Sequence, residues 1–148
     1  MSRSIDDLIA ALRSFEPTPD EAENVHRLNE IFDGFHLFAD REEALPEIFF
    51  LLERFPLADF GTPIPLAREL ERLAAYPKLL AASLERQPTE LAIWMANRLL
   101  NSQQTREQRT TWLQHLTAVT THPLAAAPVR DSALRCLDFQ AGRPMPAA

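Results

Sequence analysis

The stretch PTELAIWMANRLLNS (Pro88–Ser102) carries the strongest helical signal in the chain. Thr89 can cap the start of a helix, because its side-chain oxygen can accept a hydrogen bond from a free backbone N–H of the first turn. The residues that follow are apolar on nearly every side of a helix with 3.6 residues per turn. A helix that is apolar on most of its circumference usually lies in the centre of a core. The stretch therefore predicts a central helix with neighbours on several sides.

Patterns of the same period fill most of the chain on both sides of this helix. Ser4 can cap a first helix, Thr105 can cap the seventh, and Thr18 predicts the start of a second by a capping box. The third pattern begins at Asp40, or at about Leu45 if Pro46 marks the true start of the helix. The chain has only 3 glycines, whereas strands joined by tight hairpins usually need more.

The sequence therefore predicts an all-α fold of about eight short helices. Short links marked by proline favour antiparallel neighbours. No clean internal period is present, so two architectures stay open: an irregular antiparallel bundle, or HEAT-like stacked helix pairs. Because a chain of 148 residues is normally one domain, we expect a single helical domain over residues 1–143 and a flexible tail over residues 144–148.

The cysteine count and the apolar runs favour a soluble, cytoplasmic protein. The lone cysteine, Cys136, cannot form an internal disulfide. The first residues include Asp6 and Asp7 and lack the apolar core of a secretion signal. The longest uninterrupted apolar run, Ile48–Leu52, is far shorter than the ~20 residues that cross a bilayer. We expect no membrane association.

Charge is distributed unevenly along the chain. Residues 1–74 contain 16 acids and 7 Lys or Arg, a net charge of −9, whereas residues 75–148 contain 5 acids and 8 Lys or Arg, a net charge of +3. An acidic half repels phosphate backbones, so we expect no nucleic-acid partner there. The same half would attract a basic protein, unless it is simply a solvated surface.

The densest carboxylate cluster is DREE (Asp40–Glu43), which Glu47 extends by one helical turn. Acids in the first turn of a helix are favoured by its dipole, which is sufficient to explain the cluster. Two other interpretations stay open: an acidic edge that binds a partner, or a metal site that could serve an enzyme. None of the four histidines forms a His-Glu-x-x-His motif, and Cys136 in an apolar helix is typical of inert filling. We predict no catalytic, cofactor-binding or metal-binding residue and no cofactor.

Two groups of residues are predicted to shape the fold. Asn97, Arg98 and Asn101 recur with Trp94 at helical spacing inside the apolar Pro88–Ser102 stretch, so they either tie neighbouring elements together or line a partner groove. Gly61 permits a turn, and Pro63 or Pro65 suits the first position of a helix, which predicts a helix entry and not a phosphate-binding loop. The residues that we assign to structure are Gly61, Pro63, Pro65, Trp94, Asn97, Arg98 and Asn101.

The segment Asp59–Ser102 resembles a group of small bacterial immunity proteins that accompany polymorphic or contact-dependent-inhibition toxins. The likeness consists of a Phe-Gly-x-Pro-x-Pro-Leu helix entry followed by a Pro-Thr…Trp-Met-x-Asn-Arg…Asn helix, and it covers about 44 of the 148 residues. The residues that carry it are Phe60, Gly61, Pro63, Pro65, Leu66, Pro88, Thr89, Trp94, Met95, Asn97, Arg98 and Asn101. They look like residues that build the fold, so none is carried over as a toxin contact.

The resemblance implies an inhibitor, not an enzyme, that protects its own cell by binding the C-terminal domain of a cognate toxin. A toxin that attacks nucleic acid has a basic site, which an acidic surface could occupy. We therefore expect the partner to be a basic toxin domain; the oligomeric state stays open. The residues first expected in the interface are Asp33, Asp40, Glu42, Glu43, Glu47 and Asp59.

Two other functions stay open on the sequence. One is a helical-repeat adaptor or scaffold without a toxin partner. The other is a small metal-dependent helical enzyme that uses the carboxylates between Asp40 and Glu47. A neighbouring gene for a large secreted protein would favour immunity, whereas stabilisation by metal on heating would favour the enzyme.

Overall fold

The computed structural model describes residues 4–58, 60, 70–102 and 105–143. Within these residues the protein is all-helical, as predicted, with seven α-helices, two short 3₁₀-helices and no strand. Most of the predicted helix that begins near Thr62 lies outside the described residues, as do Asp59 and residues 144–148. The helices are α1 (Ile5–Ser14), α2 (Glu21–Ile31), η1 (Phe35–Leu37), η2 (Arg41–Ala44), α3 (Leu45–Arg54), α4 (Tyr76–Arg86), α5 (Glu90–Asn101), α6 (Arg106–Val119) and α7 (Ala127–Ala141).

The chain divides into two compact units, Met1–Leu79 and Leu80–Ala148. The expectation of one domain over residues 1–143 is not decided by this division and stays a prediction. None of the helices in the described part of the chain is long and apolar enough to cross a membrane.

Three helices begin at the residues that the sequence indicates. The Ser4 hydroxyl accepts a hydrogen bond from the Asp7 amide, and Asp7 returns one to the Ser4 amide, which completes a capping box. Thr105 forms the same reciprocal pair with Gln108 at the start of α6. At the start of α5, Thr89 accepts from the Ala92 amide. Side-chain oxygens thus satisfy amides that have no partner inside these helices.

The predicted start of the second helix is wrong by two residues. Asp20, not Thr18, is the N-cap, and its carboxylate accepts from the Ala22 and Glu23 amides. The backbone and side chain of Thr18 instead hydrogen-bond to Asn24, which is fully buried. Since Asn24 must be satisfied where it is buried, Thr18 is not available as a cap.

The third helix begins at Leu45 and not at Asp40, the other start that the sequence allowed. A turn of 3₁₀-helix, η2, leads into α3, which begins at Leu45 with Pro46 in its first turn. The Asp40 side chain makes no cap hydrogen bond. Proline is tolerated at this position because the first amides of a helix have no intrahelical acceptor.

The first unit is built on α1, which packs against α2, η2 and α3. The rings of Phe49 and Tyr76 lie 6.2 Å apart between centroids, and both side chains are buried. Arg54 donates to the Leu12 carbonyl at 2.9 Å and so satisfies the C-terminal end of α1. The largest fully buried side chains of this unit are Leu8, Leu12, Phe35, Leu45, Phe49, Leu51, Leu70 and Tyr76.

The second unit contains α5, α6 and α7, which all contact one another. Arg109, near the start of α6, reaches the Leu100 carbonyl near the end of α5 and Gln140 near the end of α7. Asn101 near the end of α5 also accepts from Gln140. Consecutive helices are therefore antiparallel, as the short links predict, while α5 and α7 run parallel.

A group of polar side chains around the buried Arg109 and Gln140 holds these three helices together. Arg109 is only 4% exposed, and it donates to the Gln140 side chain at 3.0 Å and to the Gln140 carbonyl at 2.9 Å. The Gln140 amide nitrogen in turn donates to Asn97 at 2.6 Å and to Asn101 at 2.9 Å. We call Arg109, Gln140, Asn97 and Asn101 the Arg109 network. Its hydrogen bonds fix which residues of α5, α6 and α7 face one another.

We expect Gln140→Ala to lower the free energy of unfolding by about 2–3 kcal/mol. The substitution removes the side-chain acceptor of the Arg109 guanidinium, which is buried where water cannot freely replace that acceptor, and it also removes the donor to Asn97 and Asn101. Chemical denaturation monitored by circular dichroism measures the loss. The matched control is Gln114→Ala, because Gln114 is exposed on α6. Equal stability of the two variants would contradict a role of the Arg109 network in stability.

Candidate partner-binding surface

The structure describes five of the six acids expected in the interface, and they differ in accessibility. Asp33, Asp40, Glu42 and Glu43 are exposed. Glu42 is anchored, because its carboxylate accepts from the Ala74 amide at 3.1 Å. These four exposed acids lie within eleven consecutive residues, which we call the 33–43 edge. Asp59 lies outside the described residues.

Glu47 has a structural role that its sequence position does not reveal. Its carboxylate lies 2.7 Å from the Arg13 guanidinium, and its side chain is only 14% exposed. This hydrogen bond, with the charge of Glu47, raises the pKa of Arg13. The pair links α1 to α3 inside the first unit. Glu47 is therefore poorly placed to meet a partner, in contrast to Glu43.

The 33–43 edge is held in shape from within. Phe35 is fully buried, and its ring meets that of Phe32 edge to face with centroids 5.7 Å apart. Gly34 adopts φ = +74°, which turns the chain out of α2 and into η1. Arg41 donates to the Phe38 carbonyl at 3.1 Å on the way to η2. These contacts allow the exposed side chains of the edge to be presented on an ordered backbone.

Leu37 is the residue of this edge that the sequence interpretation missed. It is 78% exposed, the highest value among the large apolar side chains described as exposed. The exposed acids Asp33 and Asp40 lie on either side of it in the chain. The one feature of the sequence that could have indicated its exposure is that Leu37 belongs to no apolar helical stripe. In this segment Phe35 is buried in the core, whereas Leu37, two residues later, is exposed.

The residues assigned to structure in α5 make two kinds of contact. Asn97 and Asn101 belong to the Arg109 network and so tie α5 to α7. Arg98 stacks on the half-buried Trp94, with its guanidinium carbon 5.2 Å from the ring centroid. Three further assigned residues, Gly61, Pro63 and Pro65, lie outside the described residues. Arg109 and Gln140 were missed, since nothing in their neighbours' pattern distinguishes a buried arginine from a surface one.

Groups that could carry metal or nucleophilic chemistry are sparse in the described part of the chain. No cluster of three or more His, Cys, Asp or Glu residues suited to a metal ion occurs in residues 4–58, 60, 70–102 and 105–143. Burial raises the pKa of Cys136 to about 11. Its thiol is therefore protonated at neutral pH and donates to Asn97 at 3.0 Å. A protonated, buried thiol is a poor nucleophile.

Comparison with known proteins gives no matching family model, no matching curated protein and no matching solved structure.

We expect Glu47→Lys to lower the melting temperature by about 2–4 °C, whereas Glu43→Lys leaves it nearly unchanged. The first substitution places a second cation against Arg13 at a half-buried position, and the second changes an exposed side chain. The two variants have the same net charge, so each is the control for the other in differential scanning calorimetry. Equal melting temperatures would contradict the structural role of Glu47.

We expect Gly34→Ala to destabilise the protein by about 1 kcal/mol, because an L-residue with a Cβ is disfavoured at positive φ. An added Cβ would lie 3.9 Å from Leu37, an ordinary contact, so the cost is conformational and not steric. Gly142→Ala is the matched control, since its Cβ would also have room and no positive φ is found at Gly142. Urea denaturation of both variants measures the difference. A loss as large for Gly142→Ala would show that backbone conformation is not the cause.

Proposed function

We propose that this protein is an immunity protein that binds and neutralises a cognate bacterial toxin domain of basic charge. The single observation that carries the proposal is the 33–43 edge, where the exposed Leu37 lies in the chain between the exposed acids Asp33 and Asp40. The resemblance of Asp59–Ser102 to immunity proteins supplies the biological class of the partner. The edge supplies its chemistry.

The charge of the first unit supports a basic partner. Residues 1–79 contain 16 acids and 8 Lys or Arg, a net charge of −8, whereas residues 80–148 contain 5 acids and 7 Lys or Arg, a net charge of +2. Surplus charge of one sign attracts a partner of the opposite sign and accelerates association. Toxins that cleave nucleic acid need cationic side chains to hold phosphates, so they belong to the class that such a surface would attract.

Leu37 supports an interface with an apolar contact at its centre. Charge mainly sets the rate and selectivity of association, whereas a few buried side chains hold a complex together. On the 33–43 edge, Leu37 is the exposed large apolar side chain, and the carboxylates of Asp33 and Asp40 flank it in sequence. A partner that covers Leu37 would bring its own cations against those carboxylates.

The decisive experiment is co-expression with the C-terminal domain of the toxin encoded beside this gene. Under the proposal, the domain alone arrests growth, co-expression restores growth, and the two proteins co-purify. If growth is not restored and no complex forms, the proposal is wrong. An adaptor would instead co-purify with another protein and leave growth arrested. A metal-dependent enzyme would show a metal-induced rise in melting temperature.

We expect two single variants to change different rate constants of that complex: one should change dissociation and the other association. Leu37→Ala should raise Kd by about tenfold or more, mainly through faster dissociation, because a buried contact is lost. Glu43→Lys should slow association by roughly 3–10-fold at low salt, and by less at high salt, because it reverses a charge at the surface. Surface plasmon resonance at two ionic strengths measures both rates.

Matched controls for these variants come from the second unit. Leu134→Ala removes an exposed leucine from α7, and Asp138→Lys makes the same charge reversal there. Both should leave the two rate constants unchanged within about twofold, which corresponds to less than about 0.5 kcal/mol. If the complex forms but the control variants weaken it as much as Leu37→Ala and Glu43→Lys do, the immunity function stands and the 33–43 edge is not the interface.

A further inference from the structure

Two open grooves lie along α1 in the first unit, and Ser14 lines both of them. One groove, of about 430 Å³, lies between α1 and α2, and its lining includes Ala11, Ser14, Phe15, Arg27, Glu30 and Ile31. The other, of about 480 Å³, lies along the exposed side of α1, and its lining includes Asp6, Ile9, Ala10, Arg13 and Ser14. We call the pair the Ser14 grooves. Each groove combines apolar side chains with charged ones.

The apolar stripe of α2 is only partly buried. Val25, Leu28 and Ile31 are each half-buried, whereas the fully buried residue of α2 is Asn24. A helix on the surface of a globular domain usually buries its apolar stripe in the core. By contrast with α2, α3 buries Leu45, Ile48, Phe49, Leu51 and Leu52. Apolar area of α2, including that of Ile31 in the groove, therefore stays in contact with water, where a partner can cover it.

Three polar side chains of the grooves already have partners within the protein. The Ser14 hydroxyl donates to the Ala10 carbonyl of its own helix at 3.0 Å. The Arg27 guanidinium donates to the Glu16 carbonyl at 2.8 Å, and Arg13 has its ion pair with α3. A partner that covers these groups leaves none of them without a hydrogen bond. Binding there costs little in desolvation and in side-chain ordering.

The charge around the grooves favours a basic partner. Residues 4–33, which contain α1 and α2, include 8 acids and 2 Lys or Arg, a net charge of −6. The two cations are Arg13 and Arg27, whose charges already face oxygen atoms of the protein. Asp6 and Glu30, which line the grooves, are exposed. The surface therefore complements apolar side chains that are accompanied by Lys or Arg.

The groove between α1 and α2 is continuous with the 33–43 edge. Ile31 lines the groove, and the ring of the next residue, Phe32, packs against that of Phe35 in the edge. Asp33, where the edge begins, is two residues from Ile31, and two residues span at most about 7 Å. One partner can therefore cover the edge and the groove together.

We propose that the Ser14 grooves are a second contact surface for the basic toxin domain and that they accept an amphipathic segment of it. Apolar side chains of that segment fill the grooves on either side of Ser14, and its Lys or Arg side chains meet Asp6 and Glu30. This inference rests on the proposed function, because it names a feature of the same partner. It adds an apolar contact area to the single exposed side chain of Leu37.

The Ser14→Cys variant tests whether the toxin domain covers the grooves. The substitution exchanges one atom at an exposed position, so the fold should be retained. Cys136 is buried and its pKa is raised to about 11, so a maleimide reacts at position 14. With the toxin domain at tenfold its Kd, the uncovered fraction is about a tenth, and labelling should slow by about tenfold.

Thr117→Cys is the matched control, because Thr117 is exposed on α6 and its hydroxyl also donates to its own helix, at the Leu113 carbonyl. Its labelling rate should not respond to the toxin domain. If the complex forms and Ser14→Cys is still labelled at its full rate, this inference is wrong and the immunity function stands. Equal slowing at both positions would also overturn it. If no complex forms with the wild-type protein, the proposed function is wrong and this inference with it.

Two further measurements separate the toxin domain from other occupants. Ser14→Tyr places a bulky ring in the wall that the two grooves share, and it should raise the Kd of the complex by about tenfold or more, whereas Thr117→Tyr should not change it. A wild-type Kd for Ser14→Tyr would contradict the proposal. Labelling of Ser14→Cys that slows as the concentration of this protein alone is raised would show that a second copy occupies the grooves, which would also contradict it.

Discussion

Burial of the Arg109 guanidinium is the constraint on which the second unit depends. A buried cation is tolerated only where oxygen atoms surround it, because its loss of water must be offset by hydrogen bonds. Gln140 supplies two of those oxygens, and its own amide nitrogen then needs acceptors, which Asn97 and Asn101 provide. Apolar packing alone would permit α5, α6 and α7 to slide by a turn. The polar groups favour this arrangement, since a shifted one would remove the partners of the buried Arg109 terminal nitrogens and of the buried Gln140 side chain.

In the first unit, the 33–43 edge follows from the burial of Phe35 in the core. Phe35 is fully buried against Phe32, and Gly34 provides the turn that precedes it. Leu37, two residues later, is exposed, and the exposed Glu42 and Glu43 of η2 follow it in the chain. A single exposed apolar side chain lowers the stability of the protein very little, and it contributes binding energy when a partner buries it. Immunity by binding a basic toxin domain is the use that we propose for this arrangement.

The helical class and most helix starts could be predicted because their causes are local. Ser4, Thr89 and Thr105 cap helices through hydrogen bonds to residues within three positions, so sequence spacing is sufficient. The start of α2 was missed because Thr18 is diverted by Asn24, six residues away and fully buried. The outcome at Glu47 likewise depends on Arg13, which is 34 residues distant. Competition of this kind depends on which residues the fold brings together, and the spacing of residues along the chain does not predict those contacts.

The amino-acid sequence by itself determined the all-α class, the caps at Ser4, Thr89 and Thr105 and the uneven charge, and it favoured the antiparallel order that α5, α6 and α7 adopt. Each of these follows from the period of apolar residues, the preferences of single side chains or a count of ionised groups. Only the tertiary structure decided which acids are exposed and which arginine is buried. The physical reason is that the exposure of a side chain and its hydrogen-bond partners depend on residues distant in the chain. Those residues come together only when the helices pack.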